Sequence, residues 1–375
     1  MILTISCTKS LSDTSFHVIN LRDHVEARDV NVSELLKDIR IVRLETSDSI
    51  MLGQNTNYLV SEKYIISIDN DKILQFSSDG KFLKTLAKAG KGPDEFLRAD
   101  AFAIDETNDI LYLNHRGDYH NIIMYDLKRG ERTRRFSTGV GNLISRIIVL
   151  NDSVLTIVPR MNKDYNLYYL STSGRVLNGI APPMVKGIGL ETSIEKVSDN
   201  LYYMPKEYDT LYIVSGQTAH PYCFFSVEDR FTFENNETGN FVYLSVNAPV
   251  FMIANKAHAR IKMNEDRETF SMNADKVTRY FINKKDFSVH EIKGFQNDFL
   301  GIKEVQNPWN DYLLITNDLG FICYSSFDLK KMIDEVLVSK RLDKTVKLRI
   351  STLDKLLDEN DNPVLVVGKL RIDIK

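Results

Sequence analysis

The chain has 375 residues, of which 43% are hydrophobic and 26% charged, so it can bury a core as one large domain or two average ones. Its 48 basic and 51 acidic residues leave a net charge of −3, which argues against nucleic acid as the main partner. Tyrosine (17 residues) and phenylalanine (19 residues) are abundant beside one tryptophan, a composition that favours half-buried β-strands.

The N-terminus places a cysteine, Cys7, directly after a short apolar run and before a polar stretch. This arrangement resembles the end of a bacterial lipoprotein signal, in which the cysteine becomes the lipidated first residue. A basic leading region is absent, and the apolar run is shorter than the ~7–15 residues of a secretory signal. We interpret residues 1–7 as a signal remnant, Cys7 as the lipid attachment site and residues 8–29 as a tether. The alternative is an apolar N-terminus with a free cysteine.

From residue 58 onward, short β-type runs alternate with turn signals in units of about 40–45 residues, the length typical of a four-stranded propeller blade. Asp-Gly, Arg-Gly and Ser-Gly turns at Gly80, Gly130 and Gly174 suit hairpins because glycine accepts a positive φ. The first four units predict strands at 58–60, 64–68, 73–76 and 82–86; 101–104, 110–113, 122–125 and 134–136; 147–149, 154–158, 167–170 and 176–177; and 194–197, 201–203, 210–214 and 222–225.

The last two units are less regular. The fifth shows strands at 250–253 and 277–282, and the sixth at 301–305, 312–316 and 364–370, with helical segments at 328–338 and 352–357. The sixth unit is one strand short, and the segment 39–44 near the N-terminus has no partner. The sequence therefore predicts an all-β, six-bladed β-propeller over residues 30–375, whose last blade is closed by N- and C-terminal strands and leaves no open edge. A β-sandwich or two β-domains is the alternative, without a proline- or serine-rich linker to separate them.

Five stretches carry a family resemblance by their order and spacing: residues 42–46, 90–96, 208–212, 297–301 and 361–365. With them the chain resembles the six-bladed β-propeller lipoproteins of Gram-negative gut-type anaerobes, which are related to NHL-repeat propellers. The resemblance covers most of the chain. It implies a lipid-anchored envelope protein and no assigned chemistry.

A glycine-rich loop contains Gly90, Gly92, Pro93 and Glu95. A phosphate-binding loop needs GxxxxGK followed by serine or threonine and a helix, and this loop lacks that ending. We interpret it as a tight connection between blades, in which glycine allows an unusual φ, Pro93 fixes the turn and Glu95 accepts backbone N–H groups.

Two further polar groups follow. His115 and His120 flank Asp118, but a spacing of five in a loop fixes no metal geometry, and we predict no metal there. The Arg116-Gly117-Asp118 tripeptide is interpreted as a chance match to an adhesion motif. A basic cluster around a hairpin could instead meet anionic lipid or a polyanionic glycan, or form a charged sheet edge. Its members are Arg129, Arg132, Arg134 and Arg135.

No catalytic constellation is recognisable: GxSxG and CxxC are absent, and no cofactor is predicted. Cys223 and Cys323 are interpreted as small buried hydrophobes, with a disulfide between them left open.

The leading hypothesis is an envelope lipoprotein with a non-catalytic binding or scaffold propeller, held on the membrane by its lipid, for a glycan, a peptide or a partner protein. Two alternatives remain open: a hydrolase or lyase with a metal in the central channel, and the ligand-reading component of an envelope sensor. The residues after Cys7 contain no acidic run that would resemble a surface-export signal, so we expect the periplasmic side.

Overall fold

The fold is taken from a computed structural model of the chain. It describes residues 16–22, 25–53, 55–92, 95–140, 143–159, 165, 167–180, 193–205, 209–231, 238–263, 270–304, 313–338 and 342–373. Cys7 and the first part of the predicted tether lie outside these residues.

The N-terminal segment contains three strands and one short helix. The three strands do not form a separate sheet, because each joins a sheet formed by later strands. They are β1 (His17–Asn20), β2 (Ala27–Asn31), α1 (Val32–Leu35) and β3 (Leu36–Arg43).

Blades 1 to 3 are four-stranded antiparallel sheets formed by consecutive strands. Blade 1 consists of β4 (Asn57–Val60), β5 (Tyr64–Ile68), β6 (Lys72–Ser77) and β7 (Phe82–Lys88). Blade 2 consists of β8 (Ala99–Asp105), β9 (Ile110–His115), β10 (Asn121–Asp126) and β11 (Glu131–Ser137), with a short 3-10 turn at Arg116–Asp118. Blade 3 consists of β12 (Ile144–Asn151), β13 (Val154–Pro159), β14 (Leu167–Ser171) and β15 (Val176–Ile180).

Blades 4 to 6 include strands from the N-terminal segment. Blade 4 consists of β16 (Ser193–Val197), β17 (Asn200–Met204), β18 (Thr210–Ser215) and β19 (Thr218–Ser226), with β1 added in parallel to β19. Blade 5 consists of β20 (Thr238–Asn247), β21 (Phe251–Met263), β22 (Phe270–Asn283) and β23 (Val289–Asn297), with β2 and β24 (Ile302–Glu304) both paired to β23. Blade 6 consists of β25 (Leu314–Thr316), β26 (Leu319–Tyr324), β27 (Val364–Leu370) and β3; α2 (Ser326–Leu337) and α3 (Lys344–Leu356) lie between β26 and β27.

The core is divided among the interfaces between blades. Within the described residues, six apolar clusters are found, one for each pair of neighbouring blades, including the pair of blades 6 and 1. Such clusters form because each blade packs against a neighbouring blade on both of its faces. A strand in the middle of a blade is therefore buried on both faces, as the nearly continuous apolar sequence of β5 shows. The first strand of each blade lies innermost, and the six blades form the predicted propeller around a central channel.

Ring closure is achieved as the sequence predicts. β3, from the N-terminal segment, pairs antiparallel with β27, so that blade 6 combines both ends of the chain. The predicted helices are also confirmed, with longer extents than the sequence indicated.

Asn362 joins the two ends of the chain next to this closure. Its side chain is 1% exposed, donates to the carbonyls of Glu45 (2.7 Å) and Ile50 (2.9 Å), and accepts the Leu52 N–H (2.8 Å). Its backbone N–H donates to Thr46 Oγ1 at 2.8 Å. Two stretches that carry the family resemblance, at opposite ends of the sequence, therefore contact each other directly.

The hairpin turns explain why blades 1 to 4 can be recognised in the sequence and blade 5 cannot. Between the third and fourth strands of blades 1 to 4 the turn holds a glycine at positive φ, for example Gly80 (φ 93°) and Gly216 (φ 59°). In blade 5 Phe287 takes this conformation (φ 58°), a strained one for a bulky residue. Its ring stacks on His17 of β1 with ring centroids 3.9 Å apart.

Three sequence expectations differ from the structure. Residues 17–20 and 27–31, partly within the predicted tether, are strands paired to the outer edges of blades 4 and 5, because those edges still offer unpaired backbone groups. Residues 302–304 pair with blade 5 rather than starting blade 6. The second strand of blade 6 is β26, which the sequence analysis missed.

We expect Asn362→Ala to destabilise the fold by about 3 kcal/mol, since one amide N–H and two carbonyls would lose buried hydrogen bonds that cost ~1–3 kcal/mol each to leave unmade. Denaturant unfolding followed by circular dichroism measures this change. Asn360→Ala, two residues away and exposed, is the matched control and should leave stability within about 0.5 kcal/mol. Equal stability of the two variants would show that Asn362 does not hold the closure.

Candidate functional site

One face of the ring carries a pocket of about 320 Å³ between blades 1 and 2. We call this face the upper face; it bears the connections between blades, such as residues 89–92, and those between second and third strands, such as Arg116–Asp118. The lining residues of this blade 1–2 pocket come from four separate segments. They are Gly90, Lys91, Gly92, Glu95, Leu97, His115, Gly117, Asp118, Ile123, Arg132 and Arg135. Its size falls at the lower end of the ~300–1,000 Å³ typical of ligand sites.

A β-bulge determines which arginines reach the pocket. In the pairing of β11 with β10, Arg132 lies opposite Tyr125 and Arg135 opposite Ile123, while Thr133 is an extra, unpaired residue. Ile123 and Tyr125 share one face of β10 and pack against blade 1. The bulge therefore directs Arg132 and Arg135 to the same face, although regular alternation would separate them.

The other two arginines of the predicted cluster lie elsewhere. Arg134 faces blade 3, where its guanidinium lies 5.8 Å from the centre of the Phe136 ring and donates to the Ser173 carbonyl at 3.4 Å. Arg129 lies in the turn at the opposite end of the strand, 3.7 Å from the Asp126 carboxylate. The structure thus divides the basic cluster into a pocket pair and two residues outside the pocket.

Backbone N–H groups of the glycine-rich loop form hydrogen bonds with other residues of the same loop. Glu95 accepts the Gly92 N–H at 2.7 Å, and the Gly90 N–H donates to the Phe96 carbonyl at 2.9 Å. The expected unusual φ is not found, because neither Gly90 nor Gly92 takes a positive φ. A Cβ on Gly90 would lie 1.8 Å from a carboxylate oxygen of Glu95, so the Glu95 side chain would have to shift to admit another residue. Pro93 lies outside the described residues. The N–H groups of Gly90 and Gly92 are therefore already used and are not available to a phosphate.

His115 lies at the end of β9 and is buried. Burial is the main reason that its pKa is lowered, and Arg135 and Arg132 lower it further, whereas Asp118 and Asp100 oppose them. The imidazole is therefore neutral at pH 7. Its Nδ1 lies 3.5 Å from the Leu97 N–H, which donates to it.

Asp118 holds the mouth of the pocket together. It accepts from Arg135 at 2.7 Å and from Asn121 at 2.6 Å. His120 is exposed and packs against the Tyr119 ring, apart from this arrangement. Within the described part of the chain, no group of three or more His, Cys, Asp or Glu residues could hold a metal ion.

The second cavity is the central channel, with a volume of about 660 Å³. All six innermost strands line it, and its charged side chains are Asp100, Arg146 and Glu195. Asp100 lies 3.6 Å from Arg116 of the upper-face turn, and its Oδ2 is buried without a hydrogen-bond partner among the described residues. The sequence analysis missed these residues; polar positions on the first strand of each repeat are the signal that could have found them.

Lys284 lies in the interface of blades 4 and 5. Its ammonium donates to the Ala248 carbonyl at 2.6 Å and lies 4.6 Å from the centre of the Tyr202 ring. Burial lowers its pKa to about 8, against the opposing charge of Glu195 and the nearby Cys223 thiol.

The two described cysteines are free thiols in different blades, so the disulfide left open by the sequence does not form here. Burial raises the pKa of both Cys223 and Cys323 to about 12, which makes them poor nucleophiles at neutral pH. No described helix is long and apolar enough to cross a membrane.

A family model described as a domain of unknown function, DUF4934, matches residues 16–369. No curated protein matches the sequence.

Several solved structures are similar in fold. A protein of Bacteroides fragilis NCTC 9343, described as exported, is 16% identical with a TM-score of 0.67, over 94% of this chain and 100% of that one. A protein of unknown function from Bacteroides thetaiotaomicron VPI-5482 is 10% identical with a TM-score of 0.44, over 88% of this chain and 76% of that one. The WD40 repeats of RRP9 are 11% identical with a TM-score of 0.46, over 93% and 100%. At these identities the likeness concerns the fold alone.

We expect the lowered pKa of Lys284 to make the free energy of unfolding depend on pH. Because its pKa is about 8 in the folded chain and 10.5 when unfolded, the folded chain loses this proton first, and stability rises with pH between these values. Relative to Lys284→Met, the free energy of unfolding of the native sequence should increase by about 2 kcal/mol from pH 7 to pH 9.5. Urea unfolding across this range measures the difference; a constant difference between the two proteins would contradict the lowered pKa.

Proposed function

The chain belongs to the family described as a domain of unknown function, DUF4934, and from this premise we propose that it is a cell-envelope lipoprotein whose propeller binds a glycan without converting it. The blade 1–2 pocket is the proposed binding site. The envelope is the proposed location, with the lipid on Cys7 and the domain on the periplasmic side.

One observation carries the binding proposal: polar residues from three separate segments, between residues 91 and 135, converge in a single pocket on the upper face. A rigid ring that presents loops on one face is suited to binding, since scaffold-held loops are where binding residues concentrate. Binding without conversion is supported by the burial of His115, whose Nδ1 already accepts the Leu97 N–H. It is further supported by the fact that no serine, threonine or cysteine nucleophile is found among the described residues of the pocket lining.

The proposed location is supported by the part of the sequence that precedes the propeller. Cys7 follows a short apolar run, as at the end of a lipoprotein signal, and residues 8–12 contain no acidic run. The fold is shared with a bacterial protein described as exported. Lipid attachment would provide the membrane hold, because acyl chains gain about 0.8 kcal/mol per buried methylene group.

Binding is tested by affinity electrophoresis of the chain in gels that contain dextran, laminarin, polygalacturonate or heparin. We expect at least one polysaccharide to retard the native protein and Leu97→Trp to abolish the retardation, because the larger ring would fill the pocket. Leu83→Trp is the matched control, since Leu83 is 44% exposed and Leu97 45%, and Leu83 does not line the pocket.

Three results would contradict the proposal. The first is retardation that Leu97→Trp leaves unchanged, and the second is no retardation by any of the four polysaccharides. The third is the release of new reducing ends from the bound polysaccharide, which would make the protein an enzyme.

Lipid attachment is tested by mass spectrometry of the N-terminal peptide from protein made in its native host, with any upstream coding sequence retained. We expect a diacyl or triacyl mass on Cys7 and none in Cys7→Ser. Proteinase K added to intact cells should leave the protein uncut if it lies on the periplasmic side. An unmodified Cys7 with its preceding residues still attached would refute the lipoprotein assignment.

A further inference from the structure

The charges of the described residues that line the blade 1–2 pocket nearly cancel. Lys91, Arg132 and Arg135 are positive, Glu95 and Asp118 are negative, and His115 is neutral. This described lining therefore has an excess of one positive charge. A singly charged anion matches this balance, whereas a phosphate dianion would be left with uncompensated charge.

The two arginines are positioned to hold a planar anion. The bulge in β11 sets Arg132 and Arg135 on one face, and the ion pair with Asp118 at 2.7 Å fixes the orientation of Arg135. This contact engages one guanidinium nitrogen, Nη2, and leaves others to donate. Arginine matches the geometry of a carboxylate with two parallel N–H donors, so the pair provides a carboxylate site rather than a diffuse positive surface.

The rest of the pocket suits a ligand that carries hydroxyl groups. Glu95 and Asp118 each place a carboxylate in the pocket, and an ionised carboxylate can only accept hydrogen bonds. The uncharged part of the ligand must therefore supply the donors, and hydroxyl groups can do so. Leu97 and Ile123 add apolar surface between them, and Gly117 contributes no side chain, so a ring can approach closely. Such an apolar surface fits the C–H face of a sugar ring.

We propose that the blade 1–2 pocket binds a sugar residue that carries one carboxylate, the unit of an acidic glycan. Arg132 and Arg135 hold the carboxylate, while Glu95 and Asp118 accept from the ring hydroxyls. A volume of about 320 Å³ accommodates one such residue together with part of its neighbour. This inference rests on the proposed binding function and specifies its ligand class.

The experiment is calorimetric titration of the full chain with oligogalacturonate, with its methyl ester, and with a sulfated oligosaccharide of equal length. Galacturonate oligomers are expected to bind, and methyl esterification is expected to weaken binding about tenfold or more, because a charge-assisted hydrogen bond contributes ~1.5–3 kcal/mol. A glucuronate-containing oligomer tests whether the sugar stereochemistry matters. Affinity should also fall with added salt, since the contact lies at an exposed pocket mouth.

Arg135→Gln and Arg134→Gln form a matched pair of variants. Both remove one charge from an exposed position of the same strand, but only Arg135 faces the pocket. We expect Arg135→Gln to weaken oligogalacturonate binding about tenfold and Arg134→Gln to change it less than twofold. Equal melting temperatures of the two variants would show that the difference is not a folding defect.

The outcomes separate this inference from the function on which it rests. If Leu97→Trp abolishes polysaccharide binding but the methyl ester binds as well as the acid, the binding function stands and the carboxylate inference is wrong. Stronger binding of the sulfated oligomer would also overturn it. If no oligosaccharide or polysaccharide binds, both proposals are wrong.

Discussion

The pairing of β3 with β27 is the contact on which the rest of the molecule depends. Each blade has two apolar faces and needs a neighbour on both sides, so an unclosed ring would expose a face of blade 6 and a face of blade 1. Closure buries Val42, Leu365 and Val367 against Leu74 and Phe76 of blade 1. The ion pair of Arg43 with Asp361 at 3.0 Å lies beside the same junction.

Much of the fold could be read from the sequence, because in blades 1 to 4 strand-like runs coincide with glycine turns. Blade 5 was obscure for a physical reason: Phe287 occupies the positive-φ turn position where blades 1 to 4 have glycine, and its ring packs on His17. The sequence also did not reveal that β1 pairs in parallel with blade 4 and β2 with blade 5. Each strand has only four or five residues of mixed polarity, which is too short to show a periodic pattern.

The site could be predicted only in pieces. The glycine-rich loop, His115 and the arginines were each singled out, but their convergence depends on packing between blades 1 and 2. The extra residue Thr133 reverses the alternation of β11, and a bulge of this kind cannot be recognised from strand pattern alone.

The attachment of β1 to the rim has a consequence for how the molecule would stand on a surface. The described chain begins at Phe16, next to the junction of blades 4 and 5, where His17 contacts Phe287. In a ring of six blades, that junction is diametrically opposite the junction of blades 1 and 2. A surface that holds the chain through the residues before Phe16 would therefore be connected to the side of the disc opposite the pocket. Ligands too long or too branched to enter the narrow layer next to that surface could still reach it.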